Sequence, residues 1–323
     1  MRIAYSLGSL LSIDEILDCS KILSKYKFDS VWIPETWGTE GMSMISTVSQ
    51  IIKNSKIGSS IINIYSRTPS LIAMGAATID TLSNGRLVLG LGTSSESIVQ
   101  DWHGLEFDQP VQRMREYVEI IRLIMSGNNV NYNGKIFHLK NFKLLIKPKR
   151  KIIPIYLAAV NQKMVELTWE IAEGAIFYLR PISELQNIIQ KMQSKRKIDV
   201  SCQFITCMSV DGDKAIERTK KTLAFYVSVG KIYREFLAKN GFEKETRVIY
   251  EEYKKSGLNS LHKLVSNSML DSLTICGTPE QCKKKLDMFV RAGVSLPIIQ
   301  FNPVGDVSKS FKLLVSTLSG NKN

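Results

Sequence analysis

The chain reads as a single (β/α)8 (TIM) barrel, on three observations. Short apolar runs with strand character alternate with amphipathic helix patterns along the sequence, as in a parallel sheet with crossover helices. The runs Ile57-Gly-Ser-Ser-Ile-Ile62 and Arg86-Leu-Val-Leu-Gly-Leu91 lack the polar alternation of a half-exposed strand, as expected where both faces are covered. The length, 323 residues, suits one such barrel with insertions.

Arg2 to Ser6 reads as strand one, Ile13 to Tyr26 as helix one and Ser30 to Ile33 as strand two. Ile57 to Ile62 is strand three. Thr68-Pro69 opens the next helix, with Thr to cap its free N–H groups and Pro in the first turn, where its N–H is not needed. Asn84-Gly85 ends that helix with residues that tolerate a left-handed backbone, and strand four runs from Arg86 to Leu91. Val111, Met114, Val118, Ile121 and Met125 mark a helix from about Val111 to Met125. Residues 128–151 interrupt the rhythm as an insertion, in which Val130 to Phe137 reads as a hairpin with Asn133-Gly134 as a type I′ turn.

Strand five is Pro154 to Leu157, helix five Lys163 to Glu173, strand six Gly174 to Tyr178 and helix six Ile182 to Lys195. Asp199 to Ser209 is strand seven, and Asp213 to Val229 a helix. From Lys231 to Leu270 the sequence is charged, helix-prone and without a clear strand, which reads as a helical insertion. Thr278-Pro279-Glu280 starts a helix that ends near Gly293, Leu296 to Phe301 is strand eight, and a helix from Val307 to Leu318 comes last. No Pro/Gly/Ser-rich linker divides residues 1–323, so one domain is expected.

Composition narrows the function classes. Hydrophobic residues are 44% and charged residues 23% of the chain, enough for a large core. The apolar runs fall short of the roughly 20 residues that span a membrane. Strand one begins at Arg2 and leaves no room for a signal peptide, so a cytoplasmic protein is expected. Cys19, Cys202, Cys207, Cys276 and Cys282 are odd in number and irregular in spacing, which reads as reduced thiols. The histidines His103, His138 and His262 show no metal-ligand spacing, and no metal is expected.

Lys plus Arg is 43 against 30 Asp plus Glu, a net charge of +13 that attracts anions. The basic run Lys143 to Lys151 alternates with aliphatic residues and lacks a nucleic-acid-binding module, so it reads as a solvated loop or a basic mouth. Neither nucleic acid nor membrane is expected as a partner. Gly90-Leu-Gly92-Thr-Ser-Ser95 is a partial dinucleotide fingerprint, but Ser95 holds the third glycine position and His103-Gly104 soon interrupts the helix after it. A Rossmann site is therefore not expected.

Polar loops at the carboxyl ends of the strands are where such a fold builds its ligand site. Ser60-Ile-Ile-Asn-Ile-Tyr-Ser-Arg-Thr-Pro69 followed by Leu82-Ser-Asn-Gly-Arg-Leu-Val-Leu-Gly-Leu-Gly92 resembles the luciferase-like flavin and deazaflavin oxidoreductases, over most of the chain. The resemblance is closest to the branch that uses coenzyme F420, with FMN as the alternative coenzyme. It implies an oxidoreductase that moves a hydride between deazaflavin C5 and a small organic acceptor, with methylenetetrahydromethanopterin the leading candidate, and a homo-oligomer. It also implies a cis Ser60–Ile61 bond beneath the coenzyme ring, with Asn63, Thr93 and Ser94 beside the ring and Asn161-Gln162-Lys163 at the coenzyme phosphate.

Glu35, at the end of strand two, matches a position that approaches the ring and is the candidate acid or base; a capping or salt-bridged glutamate is the alternative. Trp37 is a candidate pocket wall, and Arg180 a candidate contact to a substrate anion or a surface arginine. Thr36, Ser95 and Asn161-Gln162 depart from the pattern of relatives. They keep open a monooxygenase using FMN and a non-catalytic barrel that acts as a binding protein.

Overall fold

The computed structural model describes residues 1–8 and 10–321. Its architecture is the expected (β/α)8 barrel, with strands β1 (Ala4–Ser6), β2 (Ser30–Ile33), β3 (Lys56–Ser59), β4 (Leu87–Gly92), β5 (Ile155–Ala158), β6 (Gly174–Tyr178), β7 (Asp199–Met208) and β8 (Leu296–Phe301). Two compact units make up the chain: Ser30–Ile176, and Met1–Asp29 with Phe177–Asn323.

In the first unit β2 to β6 pair in sequence order, all parallel. Ser30 stands opposite Lys56, Ile57 opposite Leu87, Leu89 opposite Ile155 and Tyr156 opposite Gly174. Every residue of β2 and β4 is buried, which explains their unbroken apolar sequence. Helix α1 (Ile13–Leu23) belongs to the other unit, and the helices between these strands are α2 (Gly41–Ile51), α3 (Pro69–Leu82), α4 (Pro110–Met125) and α5 (Gln162–Ile171). Helix α3 starts as predicted, with Thr68 accepting the Leu71 N–H at 3.3 Å and Pro69 in the first turn. Asn84 and Gly85 follow its end with φ of 55° and 79°. Helix α4 buries Met114, Tyr117, Val118, Ile121, Ile124 and Met125, at the three- and four-residue spacing of one helix face. Each such large apolar side chain contributes about 1.5–3 kcal/mol on burial.

In the second unit β1 lies parallel to β8, and β8 to β7, with Ala4 opposite Ile298 and Ser201 opposite Leu296. Lys231 to Leu270 is helical, as expected: Lys231–Leu237, a π-helical turn Ala238–Phe242, Glu243–Ser256, a short 3-10 turn Leu261–Leu264 and Asn267–Leu273. These segments bury Leu237, Phe242, Ile249, Leu261, Met269 and Leu273 against Leu223, Ala224 and Val227 of the helix Gly212–Val229.

Several elements differ from the sequence reading. Helix one ends at Leu23 instead of Tyr26, because Tyr26–Lys27 is a strand paired with Gly320–Asn321. The third strand is broken after Ser59, and a two-residue strand, Ile62–Asn63, then pairs with Leu91 and Gly92; the Ser60–Ile61 bond between them is cis, as the resemblance implies. The insertion is a hairpin, but not with a type I′ turn. Its strands are Val130–Asn133 and His138–Phe142, and neither Asn133 nor Gly134 has positive φ. The turn instead wraps the fully buried Glu116 carboxylate, which accepts the N–H groups of Lys135 (2.8 Å), Ile136 (3.1 Å) and Phe137 (2.9 Å). A strand at Ile275–Gly277, too short to show a period, adds to β7 with Cys276 opposite Cys207.

The cysteines are free. Burial raises their thiols, to about 12 for Cys19 and Cys207, so they stay protonated and unreactive near neutral pH. No helix among the described residues is long and apolar enough to cross a membrane.

Candidate functional site

The loops after β2, β3 and β4 enclose a cleft of about 350 Å³ in the Ser30–Ile176 unit. Its lining includes Glu35, Trp37, Glu40, Asn63, Arg67, Ser94 and His103. Four sequence candidates, Glu35, Trp37, Asn63 and Ser94, thus share one cleft.

The break after β3 depends on its neighbour β4. Ser59 Oγ donates to the Gly90 carbonyl and accepts the Gly90 N–H, both at 2.8 Å. A Cβ on Gly90 would sit 1.8 Å from the Ser59 carbonyl oxygen, and one on Gly92 would sit 2.6 Å from the Ile61 side chain. The glycines of Gly90-Leu-Gly92 therefore let two backbones approach; they do not turn the chain around a phosphate. Beyond them Ser94 is left-handed at φ 58°, and Ser95 Oγ accepts the Ile98 N–H at 3.4 Å to open a π-helical turn, Ile98–Trp102.

Asn63 is 4% exposed. Its Oδ1 accepts the Tyr65 N–H at 2.9 Å, which fixes the amide, while its Nδ2 has no partner among the described residues. Ser60 Oγ, which does not line the cleft, is likewise buried and unpartnered among them. Buried polar atoms are nearly always paired, so unpaired ones in a cleft wall point to a ligand with complementary groups. The neighbouring loop is firmly held: Tyr65 stacks on Phe107 with centroids 5.1 Å apart, and its hydroxyl donates to the Asp108 carbonyl at 2.7 Å.

Glu35 meets a different environment from the free acid or base that its position suggested. Both its oxygens accept from Arg67, at 2.7 Å each, and Oε2 also accepts the Gly41 N–H at 2.8 Å. Glu40 also pairs with Arg67 and caps α2 through the N–H groups of Met42 and Ser43. The Glu35 hydrogen bonds are the largest influence raising the Arg67 pKa, ahead of the opposing effect of burial. Glu35 is thus salt-bridged and holds Arg67 in the cleft wall. At the mouth Trp37, 53% exposed, meets Trp102 edge to face at 5.3 Å.

The remaining candidates lie elsewhere or act locally. Thr93 does not line the cleft, and its hydroxyl donates to the Ser94 carbonyl at 3.4 Å. Asn161 caps α5 by accepting the Met164 N–H at 3.0 Å, Gln162 donates to Glu166 at 2.8 Å, and Lys163 is exposed at the helix start. Arg180 is not a surface arginine. It is 3% exposed, paired with Glu184 and 4.6 Å from the ring centres of both Phe177 and Phe236. Its charge is balanced within its own unit, which weakens the expectation of an anion contact.

Sequence reasoning missed Arg67 and His103. Arg67 stands in the stretch that carries the resemblance, but its pairing with a carboxylate 32 residues away has no local signal. His103 entered only as a histidine without metal-ligand spacing and as the residue that interrupts a helix.

Known proteins bear on this geometry. The family model for luciferase-like monooxygenases matches residues 2–296. The 5,10-methylenetetrahydromethanopterin reductase of Archaeoglobus fulgidus is 27% identical over 307 residues, covering 91% of each chain. The structure of the coenzyme F420-dependent tetrahydromethanopterin reductase from Methanopyrus kandleri superimposes with a TM-score of 0.86 at 23% identity, over 99% of this chain and 98% of that one. An F420-dependent secondary alcohol dehydrogenase with an F420–acetone adduct gives 0.78 at 18% identity, over 98% of both chains. The family match spans the strands and loops that build the cleft, and this chain belongs to the luciferase-like monooxygenase family.

Proposed function

We propose that the protein is a coenzyme F420-dependent oxidoreductase whose acceptor is methylenetetrahydromethanopterin or a closely related C1-carrying pterin. The observation that carries the reading is the unpartnered Asn63 amide in the wall of the cleft. An amide donor fixed by the Tyr65 N–H suits the carbonyl and nitrogen acceptors along the edge of a deazaflavin, so the residues present fit the coenzyme. The names of the relatives above support F420 and the pterin.

When bound, reduced F420 supplies a hydride from its ring carbon C5. The chain's own residues bind and orient. Asn63 would donate to the ring, and Ser60 Oγ would offer a second polar contact. Lys163 and the N–H groups of the first turn of α5 would hold the phosphate, favoured by the helix dipole. Trp37 and Trp102 shield the mouth from water, and Glu35 and Glu40 fix Arg67 at its rim.

The description of the matching family favours a second reading, an FMN-dependent monooxygenase. An anaerobic assay of reduced F420 with methylenetetrahydromethanopterin separates the two. Oxidation of F420 coupled to formation of the methyl pterin supports the proposal. Turnover that requires FMN, a reductase and oxygen moves the protein to the second reading.

A further inference from the structure

We propose that His103 is the proton donor to the substrate reduced in this cleft, and the proton acceptor in the reverse direction. The proposal rests on the oxidoreductase reading above and adds a catalytic residue to it.

The ionisable side chains lining the cleft are Glu35, Glu40, Arg67 and His103. The first three satisfy one another: Glu35 and Glu40 both pair with Arg67, and their remaining bonds go to backbone N–H groups at the start of α2. Among the described residues, none pairs with the His103 ring by hydrogen bond or ion pair. Its backbone is nevertheless fixed, because the His103 N–H donates to the Ile98 carbonyl at 3.2 Å and Gly104 turns the chain away at φ 65°. The result is an anchored residue with an uncommitted imidazole, in a cleft whose other charged groups are paired with one another.

The chemistry needs such a group. When a hydride reaches a carbon multiply bonded to nitrogen or oxygen, or joined to a leaving amine, a C–H bond forms and the electron pair of the carbon–heteroatom bond moves to the heteroatom. That atom must take a proton. An imidazolium N–H breaks as the new N–H or O–H forms, and the neutral imidazole recovers its proton from solvent, to which His103 is exposed. Histidine is the side chain whose charge changes most readily near neutral pH. The charged groups around it are Glu35 and Glu40 from the loop after β2, Arg67 from the loop after β3, and Asp101 and Glu106 of its own segment.

The test is His103→Gln beside the wild type, with two readouts. The first is the pH profile of reduced F420 oxidation by methylenetetrahydromethanopterin. The variant should lose about 100-fold in rate, together with the limb due to imidazole, as removal of a general acid does. Its affinity for oxidised F420, followed by fluorescence, should stay within about two-fold, because the coenzyme contacts lie elsewhere.

The second readout needs no turnover. The chain has three histidines, so the imidazole NMR signal of His103 is identified by its loss in the variant. Adding F420 and the pterin to the wild type should shift the titration of His103 and leave His138 and His262 unchanged. An unchanged His103 titration in protein that binds F420 overturns the proposal and leaves the oxidoreductase reading standing. A wild-type rate and pH profile in the variant overturns it too, whereas failure to bind F420 removes both.

Discussion

Two regions of the Ser30–Ile176 unit handle buried polar groups in opposite ways. At the hairpin, Glu116 is fully buried and accepts from three backbone N–H groups and from Gln112 Nε2 at 2.8 Å. Before β4, the equally buried Asp80 holds Arg150 through both oxygens and accepts the Leu87 N–H at 3.3 Å. Nothing there is left for a ligand. In the loops that form the cleft, Asn63 Nδ2 and Ser60 Oγ are buried and unpartnered among the described residues, and His103 has an uncommitted ring. The saturated carboxylates hold structure, and the unpartnered Asn63 amide in the cleft wall is left for a ligand.

Variants can break or sharpen that contrast. The largest effect is expected at the saturated end. Glu116→Ala leaves three backbone N–H groups of the hairpin without their acceptor and should destabilise the protein by about 3–5 kcal/mol, with coenzyme affinity little changed in whatever folds. Urea midpoints read the loss.

Acid should reveal the same carboxylate. Burial alone would raise its pKa, but the hydrogen bonds from Gln112 and the turn outweigh that and hold it below its ordinary 4.5. A lowered folded-state pKa stabilises fully above the unfolded value, and this contribution fades as pH falls through the folded one. The wild type should therefore lose stability on acidification below about pH 4.5, and Glu116→Gln should lose less over that window.

At the unsaturated end the signs reverse. Ser60→Ala removes a hydroxyl with no partner among the described residues, so stability should stay within about 0.5 kcal/mol or improve slightly. Asn63→Asp keeps the acceptor for Tyr65 N–H and replaces the free donor, and should weaken F420 binding about 10-fold. A Ser60→Ala protein that unfolds several degrees earlier would sink the contrast. The smallest effect is expected at Lys163→Ala. Loss of one exposed charge should weaken the coenzyme a few-fold at low salt and hardly at all at high salt.

Much of this region is legible in the sequence. The unit β3–α3–β4 can be read because Thr68-Pro69 and Asn84-Gly85 are local stereochemical signals, and because two buried faces impose an apolar run. The cleft is less legible. Asn63 and Ser94 stand out through the family resemblance, and their neighbours Arg67 and Glu35 come together only when β2 and β3 lie side by side. The turn around Glu116 misleads, since Asn133-Gly134 has the composition of a tight turn and a carboxylate on α4 dictates another geometry. Arg180 misleads for the same reason: whether an arginine reaches solvent or lies between two rings depends on Phe236, in a distant helix.

The most direct test of the central claim, that the unsaturated cleft takes a deazaflavin, is a fluorescence titration of the wild-type protein with oxidised F420 and, separately, with FMN. Saturable binding of F420 in preference to FMN, weakened by Asn63→Asp and untouched by Glu116→Gln, is the predicted result. Binding of neither coenzyme, or F420 binding indifferent to Asn63, would contradict it.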